Sequence, residues 1–312
     1  MARPLRILFP GAFYHVTSRG NDRKAVFASE RDREKFCEYL QTATERYQAV
    51  IHAFCLMDNH YHLLLETPLG NLPQIMRHIN GAYTTYFNIK RGRSGHLFQG
   101  RYKAILVERD RYAKELSRYI HLNSVRAGMV ESPGDHAWSS YRLYIGKETP
   151  PKWLYRDFIL GYFGSRVSRA QQEYQKFVES VLPAEYKSPL VGTTGSVLLG
   201  SKDFIAEIRA KYLLGHQPTR ELPAIGQIFA GATMDEVCAA VTEVSGLEPA
   251  LARKIQIYLC RKHTSEKLKT IGRRFGIGDA AVSQVYKRFK DKIDNDPDIF
   301  ARVEEIEAAI KC

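Results

Sequence analysis

The chain has 312 residues, 44% of them hydrophobic and 26% charged, with a net charge of +12 at neutral pH. At roughly 100–200 residues per domain this suggests two domains. The composition excludes a wholly disordered chain, no apolar run approaches the about 18–20 residues of a membrane helix, and Met1 to Phe9 lacks the long apolar stretch of a secretory signal.

Phe13 to Ser18 alternates and runs into Arg19-Gly20-Asn21, a strand followed by a turn. Ser29 to Arg46 predicts a helix: Ser29 suits the N-cap, and Phe36, Tyr39, Leu40 and Ala43 fall on one face. Ala49 to Met57 and His60 to Glu66 read as two strands joined by the turn pair Asp58-Asn59. Asn71 to Ile89 predicts a single amphipathic helix with Leu72, Ile75, Met76, Ile79, Tyr83 and Phe87 on its buried stripe. A Gly- and Arg-rich loop, Lys90 to Gly100, precedes a strand at Tyr102 to Glu108, and Arg111 to Ala127 predicts another helix closed by Gly128. This order argues for an α+β domain with helices packed on an antiparallel sheet.

Trp138 to Val181 is mixed and mostly helical, with aromatic anchors such as Trp153 and Phe158. Leu182 to Leu199, rich in Pro, Gly, Ser and Thr, reads as a linker, Ser201 to Leu214 as a further helix, and Pro218 to Gly226 as a second punctuated stretch. From Met234 onward the pattern is entirely helical. Leu251 to Arg261, Leu268 to Phe275 and Ala280 to Lys290 form helices, with Gly276-Ile277-Gly278 as a turn and Asp279 as an N-cap. The expected division is a domain over 1–145, a mostly helical connection over 146–230 and an all-α domain over 231–312.

Charge and cysteine usage narrow the partners and the compartment. Residues 1–150 hold 22 basic and 14 acidic side chains, Gly231 to Lys290 holds 11 and 6, and Asp291 to Cys312 holds 3 and 7. Two basic regions suggest two surfaces for a polyanion, nucleic acid before any other. Cys37, Cys55, Cys238, Cys260 and Cys312 are scattered without a CxxC pair, which argues against a disulfide framework or zinc knuckle and for a reducing cytoplasm.

His60 and His62 flank Tyr61 in a predicted strand, so both imidazoles point to one face and Tyr61 to the other. Two imidazoles on one face can chelate a divalent cation. On the helix that follows, Tyr119 and Asn123 stand four residues apart and share a face, whereas His121 faces elsewhere. The amide oxygen of Asn123 could be a third ligand, with the Tyr119 phenol aimed at whatever the cation polarises.

These residues carry a resemblance. Phe54-Cys55-Leu56-Met57-Asp58-Asn59-His60-Tyr61-His62-Leu63-Leu64, Gly95-His96-Leu97-Phe98-Gln99-Gly100-Arg101-Tyr102-Lys103, and Tyr119-Ile120-His121-Leu122-Asn123-Ser124-Val125-Arg126-Ala127-Gly128 resemble, in this order, the signature set of the HUH single-strand transposases with one catalytic tyrosine. The branch they resemble is the REP-associated tyrosine, or IS200-like, transposases, and Tyr14-His15-Val16-Thr17-Ser18-Arg19-Gly20-Asn21 fits it too. Ser124 departs from the branch, which usually has proline there. The resemblance covers about Pro10 to Tyr144 and implies a ferredoxin-like HUH nuclease fold. It further implies Mg²⁺ or Mn²⁺ held by His60, His62 and Asn123, and Tyr119 as a nucleophile that forms a 5′-phosphotyrosine link on hairpin-bearing single-stranded DNA. Arg19, Arg91, Arg93, Arg101, Lys103, Arg118 and Arg126 are then expected to contact the DNA backbone, and Phe98 and Tyr102 to stack on unpaired bases.

Ala252 to Leu259 together with Ile271 to Gly276 resembles the DNA-binding domain of the replication initiator DnaA, over roughly Leu247 to Lys292 and without an ATPase domain. That resemblance implies a helix-turn-helix that binds duplex DNA, with Arg253 and Lys254 on phosphates and Ser283, Gln284 and Lys287 exposed on the second helix. Gly278-Asp279-Ala280-Ala281-Val282 stands where the initiator has Asp-His-Thr-Thr-Val, so its binding-site preference does not carry over. The sequence thus points to a DNA-nicking and strand-transferring transposase, monomeric or homodimeric, without membrane contact, cytoplasmic and associated with a bacterial nucleoid. The alternatives are a domesticated, non-catalytic DNA-binding regulator and a phosphodiesterase that uses water rather than tyrosine.

Overall fold

Side-chain alternation along four strands builds a two-faced sheet. The computed structural model describes residues 6–181, 186–213, 233–244, 248–264 and 266–311. In it β1 (Ala12–Arg19), β2 (Val50–Leu56), β3 (His60–Thr67) and β4 (Lys103–Val107) lie in the order β2-β3-β1-β4. All three of these pairings are antiparallel. With α1 (Glu30–Tyr47) between β1 and β2, and with α2 (Leu72–Met76) and α3 (Ala82–Lys90) between β3 and β4, the order is β-α-β-β-α-β, the ferredoxin-like arrangement.

The helices α1 to α3 cover the face that carries Tyr61. Phe36 packs on Tyr61 with ring centroids 4.8 Å apart, and Tyr83 packs edge-on to Phe36 at 5.1 Å. Ser29 caps α1 as expected, its hydroxyl accepting from the Asp32 N–H at 3.3 Å. Asp32 is fully buried yet bonded to Lys90 (2.9 Å) and Arg91, so the start of α1 is tied to the end of α3. Burial opposes its ionisation, but Arg91 and Lys90 prevail and hold the carboxyl down to about 2.

The other face carries His60, His62 and Leu64 and receives α4 (Arg109–His121), which buries Leu116 and Ile120 against Phe13, Ala53, Cys55 and Leu64. The chain after α4 restarts at α5 (Asn123–Arg126) and turns at Gly128, whose φ of 67° suits glycine.

Several sequence expectations change. The helix expected over Asn71 to Ile89 is interrupted by a π-turn at Arg77–Gly81, which brings the Asn80 side chain to accept from the Tyr61 hydroxyl at 2.6 Å. The connection expected from 146 onward belongs to the first unit, which runs to Ile208. Its aromatic and apolar side chains are the reason. After the short α6 (Tyr141–Tyr144) and α7 (Asp157–Leu160), α8 (Val167–Glu179) lays Ala170, Tyr174 and Val178 into the same core as α4. Residues 138–155 also bond the free edge of β2, through Leu56 N–H to Trp138 O and Tyr155 N–H to Ile51 O, both 2.8 Å. Of the expected linker, Tyr186 and Leu190 pack against the core and Val197, Leu198 and Leu199 are buried. β5 (Leu198–Leu199) is fully buried and pairs in parallel with β4, so the sheet is mixed rather than antiparallel. A helix, α9 (Lys202–Ile208), follows. Residues 182–185 and the punctuated stretch 218–226 lie outside the described residues.

The second unit, from Arg209 on, is all helical in its main body: α10 (Met234–Glu243), α11 (Pro249–His263), α12 (Leu268–Phe275), α13 (Asp279–Asn295) and α14 (Pro297–Lys311). Ile255, Leu259, Ile271, Val282, Phe289, Val303 and Ile306 form its core. Between α12 and α13, Gly276 takes a φ of 65° and closes α12. A Cβ on Gly272 would lie 2.5 Å from the Ile277 carbonyl oxygen, so the tight turn requires glycine there. Gly278, not Asp279, is the N-cap of α13; its backbone is extended, and Asp279 sits one residue inside, where its charge meets the helix dipole.

Candidate active site

The strand register delivers the site. His62 lies opposite Thr17, His60 opposite Arg19 and His15 opposite Leu64, so His15, on the same face of β1, is a diagonal neighbour of His62. His15 Nε2 and His62 Nδ1 share a hydrogen bond of 3.0 Å. Their rings are within 11° of parallel with centroids 5.2 Å apart, the spacing of an edge-to-edge N–H···N bond. The His60 ring lies 5.1 Å from that of His62, and Tyr119 stands edge-on to both His62 (5.8 Å) and His15 (5.9 Å). The structure therefore gathers His60, His62 and Tyr119 as the sequence predicts, and adds His15. The alternation of β1 contained that signal, but only the β1–β3 register reveals it.

Electrostatics keep these imidazoles neutral. Burial brings His15 down to about 4. Burial, then the Arg19 charge, does the same for His60. Burial, then His15, His60, Arg126 and Arg19, pushes His62 well below its ordinary range.

Tyr119 is buried, and the exposed Arg126 guanidinium sits over its ring at 4.9 Å. Asn123 Nδ2 donates to the Tyr119 carbonyl at 2.8 Å, bridging the interruption between α4 and α5 and leaving Oδ1 as the amide's acceptor. Behind Tyr119, His121 is fully buried. Its Nδ1 meets the Tyr174 hydroxyl at 2.6 Å and its Nε2 the Ser140 hydroxyl at 2.7 Å, and burial lowers it to about 3. These bonds tie the end of α4 to α8 and to Ser140. Among the described residues no three His, Cys, Asp or Glu side chains gather as a metal cluster.

The expected DNA contacts divide. Arg19, Arg93, Arg101, Lys103 and Arg126 are exposed around this unit. Arg91 is bonded to buried Asp32, and Arg118 is held by Glu115, by the Phe177 carbonyl (3.2 Å) and by the Phe177 ring (4.0 Å). Phe98 and Tyr102 are not free platforms. Both are buried, Phe98 against Tyr61 and Tyr102 under the Arg6 guanidinium at 3.9 Å, because the loop folds back onto β1. In the second unit Lys254, Ser283, Gln284 and Lys287 are exposed, and Arg253, also exposed, donates to the Phe275 carbonyl.

The sequence model of the family "Transposase IS200 like" matches residues 10–123. The chain is 25% identical over 153 residues, 46% of its length and 86% of the relative's, to a putative REP-associated tyrosine transposase of Haemophilus influenzae. Among solved structures, a REP-associated tyrosine transposase bound to a REP hairpin aligns with 50% of this chain and 93% of its own (16% identity, TM-score 0.41). A putative transposase of Deinococcus radiodurans aligns with 38% of this chain and 95% of its own (21% identity, TM-score 0.28). The matched span of the family begins just before β1 and ends at Asn123, taking in His15, His60, His62 and Tyr119, so residues 10–123 are similar to the IS200-like transposases.

Proposed function

We propose that the chain is a divalent-metal-dependent transposase that nicks and rejoins hairpin-bearing single-stranded DNA through Tyr119. The observation that carries this reading is the convergence of the Tyr119 ring on His62, with His60 beside it, from elements far apart in sequence. A regulator that only binds DNA has no need of that arrangement.

The donor set fits Mg²⁺ or Mn²⁺. Ligation requires neutral imidazoles, and burial keeps His60 and His62 neutral. The amide oxygen of Asn123 is a neutral oxygen donor of the kind these cations accept, and imidazoles favour Mn²⁺ of the two. When bound, the cation would act as a Lewis acid on a non-bridging oxygen of the scissile phosphate. The chain's own residues do the rest. The Tyr119 oxygen bonds phosphorus as the bond to the 3′ oxygen breaks; the phenol gives up its proton and the 3′ oxygen takes one. The phosphodiester energy stays in the 5′-phosphotyrosine, so reversal on a new 3′-OH rejoins a strand without ATP. Arg126, over the Tyr119 ring, and exposed Arg19 supply positive charge where the phosphates approach.

The second unit is proposed as a duplex-binding helix-turn-helix. Its support is α12, a glycine turn and α13, with Ser283, Gln284 and Lys287 on the exposed side of α13 and Lys254 exposed on α11. On this reading the first unit nicks and the second docks on duplex DNA.

The test is incubation of hairpin-bearing single strands with Mn²⁺, followed by a denaturing gel. Wild type is expected to give a covalent protein–DNA adduct, and Tyr119→Phe none, with hairpin binding retained. Cleavage without an adduct would establish attack by water, and binding without cleavage by the wild-type chain would establish the regulator.

A further inference from the structure

The turn between β2 and β3 carries more than a change of direction. Asn59, its second residue, is bonded on every side. Its backbone carbonyl accepts from the Gly20 N–H at 2.8 Å, and its side-chain Nδ2 donates to the Arg23 carbonyl at 3.0 Å. The remaining amide atom, Oδ1, lies 2.7 Å from His60 Nδ1. Because Arg23 offers a carbonyl, the amide's nitrogen must face it, and the orientation of Asn59 is determined. Oδ1 can only accept, so the proton of neutral His60 sits on Nδ1 and the lone pair is left on Nε2.

The Arg23 carbonyl is itself held by an unusual loop. Asp22 and Arg23 are consecutive non-glycine residues with φ of 52° and 58°. Left-handed backbone of this kind is unfavourable for a residue with a side chain and persists only where surroundings enforce it. Here they do: the Val26 and Phe27 N–H groups both bond the Asp58 carbonyl (2.8 and 3.0 Å), wrapping residues 20–27 over the Asp58-Asn59 turn. A Cβ on Gly20 would lie 2.1 Å from the Lys24 carbonyl oxygen, so the loop closes this tightly only on glycine.

We propose that Asn59 is a positioning residue that fixes His60 as the Nδ1–H tautomer and so presents its Nε2 lone pair to the cation, with the strained loop at Asp22 and Arg23 holding Asn59 in the required orientation. This rests on the metal-dependent reading above but concerns a residue outside the ligand set. A bond from a ligating imidazole to an outer oxygen acceptor orients the ring and raises its basicity, and its loss lowers metal affinity by about 10–100-fold.

The experiment has two arms on the full-length chain. Long-range ¹⁵N–¹H correlation of the metal-free protein reads the tautomer of His60, assigned by comparison with His60→Gln. It is expected as Nδ1–H in wild type and as a mixture of both tautomers in Asn59→Leu. Calorimetric titration with Mn²⁺ is expected to show affinity about 10–100-fold weaker for Asn59→Leu than for wild type. Finding His60 in the Nε2–H form in wild type, or unchanged Mn²⁺ affinity in a folded Asn59→Leu protein, would overturn the proposal. A wild-type chain with His60 in the expected tautomer that bound no Mn²⁺ would instead remove the cation reading on which it rests, and the positioning role with it.

Discussion

Acid should unfold the first unit earlier than its carboxylates alone would. His121 has a folded-state pKa lowered by burial from 6.5 to about 3, so the folded unit holds it neutral while the unfolded chain takes up its proton below 6.5. A group depressed in this way contributes stability that is complete above pH 6.5 and is lost as pH falls toward the folded value. From pH 7.5 to pH 5 the loss is about 2 kcal/mol for this one side chain. His15, lowered to about 4, contributes about 2 kcal/mol more over the same window, and His62 adds in the same direction. Asp32, held at about 2, loses its contribution only below its ordinary 3.8 and so stays out of that window. Against a typical total of about 5–15 kcal/mol, a loss of about 4 kcal/mol or more is large. Urea unfolding followed by tryptophan fluorescence at a series of pH values measures it cleanly, because both tryptophans, Trp138 and Trp153, lie in this unit. In His121→Leu the hydroxyls of Tyr174 and Ser140 lose a partner, which costs about 1–3 kcal/mol at pH 7.5. The same variant should lose less stability on acidification, its slope near pH 5 reduced by about one proton, or about 1.4 kcal/mol per pH unit. An unfolding free energy that is flat from pH 7.5 to 5, or an identical slope in His121→Leu, would refute the assignment of these histidines as buried and neutral.

Asn123→Ala removes the amide bond to the Tyr119 carbonyl and should lower stability by about 1 kcal/mol, read as a melting-temperature drop of about 2–4 °C. It should also raise the Mn²⁺ concentration for half-maximal cleavage. A melting-temperature drop with an unmoved Mn²⁺ midpoint would leave Asn123 as a brace and take it out of the ligand set. Gly272→Ala places a methyl 2.5 Å from the Ile277 carbonyl oxygen and should destabilise the second unit by about 1–3 kcal/mol. The far-UV circular dichroism transition should then shift while the tryptophan transition, confined to the first unit, does not; an unshifted dichroism curve would show that the turn can open without loss. Lys287→Ala should weaken duplex binding and flatten its salt dependence by about one counterion while leaving nicking of a short single strand unchanged, and equal salt slopes would remove this side chain from the phosphate contacts.

Local order was legible in the chain itself. The two-residue period of β3 puts His60 and His62 on one face whatever the strand pairs with, and the four-residue separation of Tyr119 and Asn123 keeps them close even though the helix breaks at Leu122. Glycine positions marked the turns after α5 and α12 for the same reason, since a left-handed backbone angle is a property of one residue. Tertiary structure alone decided which partners each side chain meets. His15 enters the site because β1 lies between β3 and β4; Arg91 and Arg118 turn inward because Asp32 and Phe177 stand opposite them; and the Pro- and Gly-rich stretch before Leu199 ends in a buried strand because β4 has a free edge there. Periodicity is carried by adjacent residues and can be read along the chain, whereas register, burial and hydrogen-bond partners arise from contacts between residues tens of positions apart, such as the 47 that separate His15 from His62.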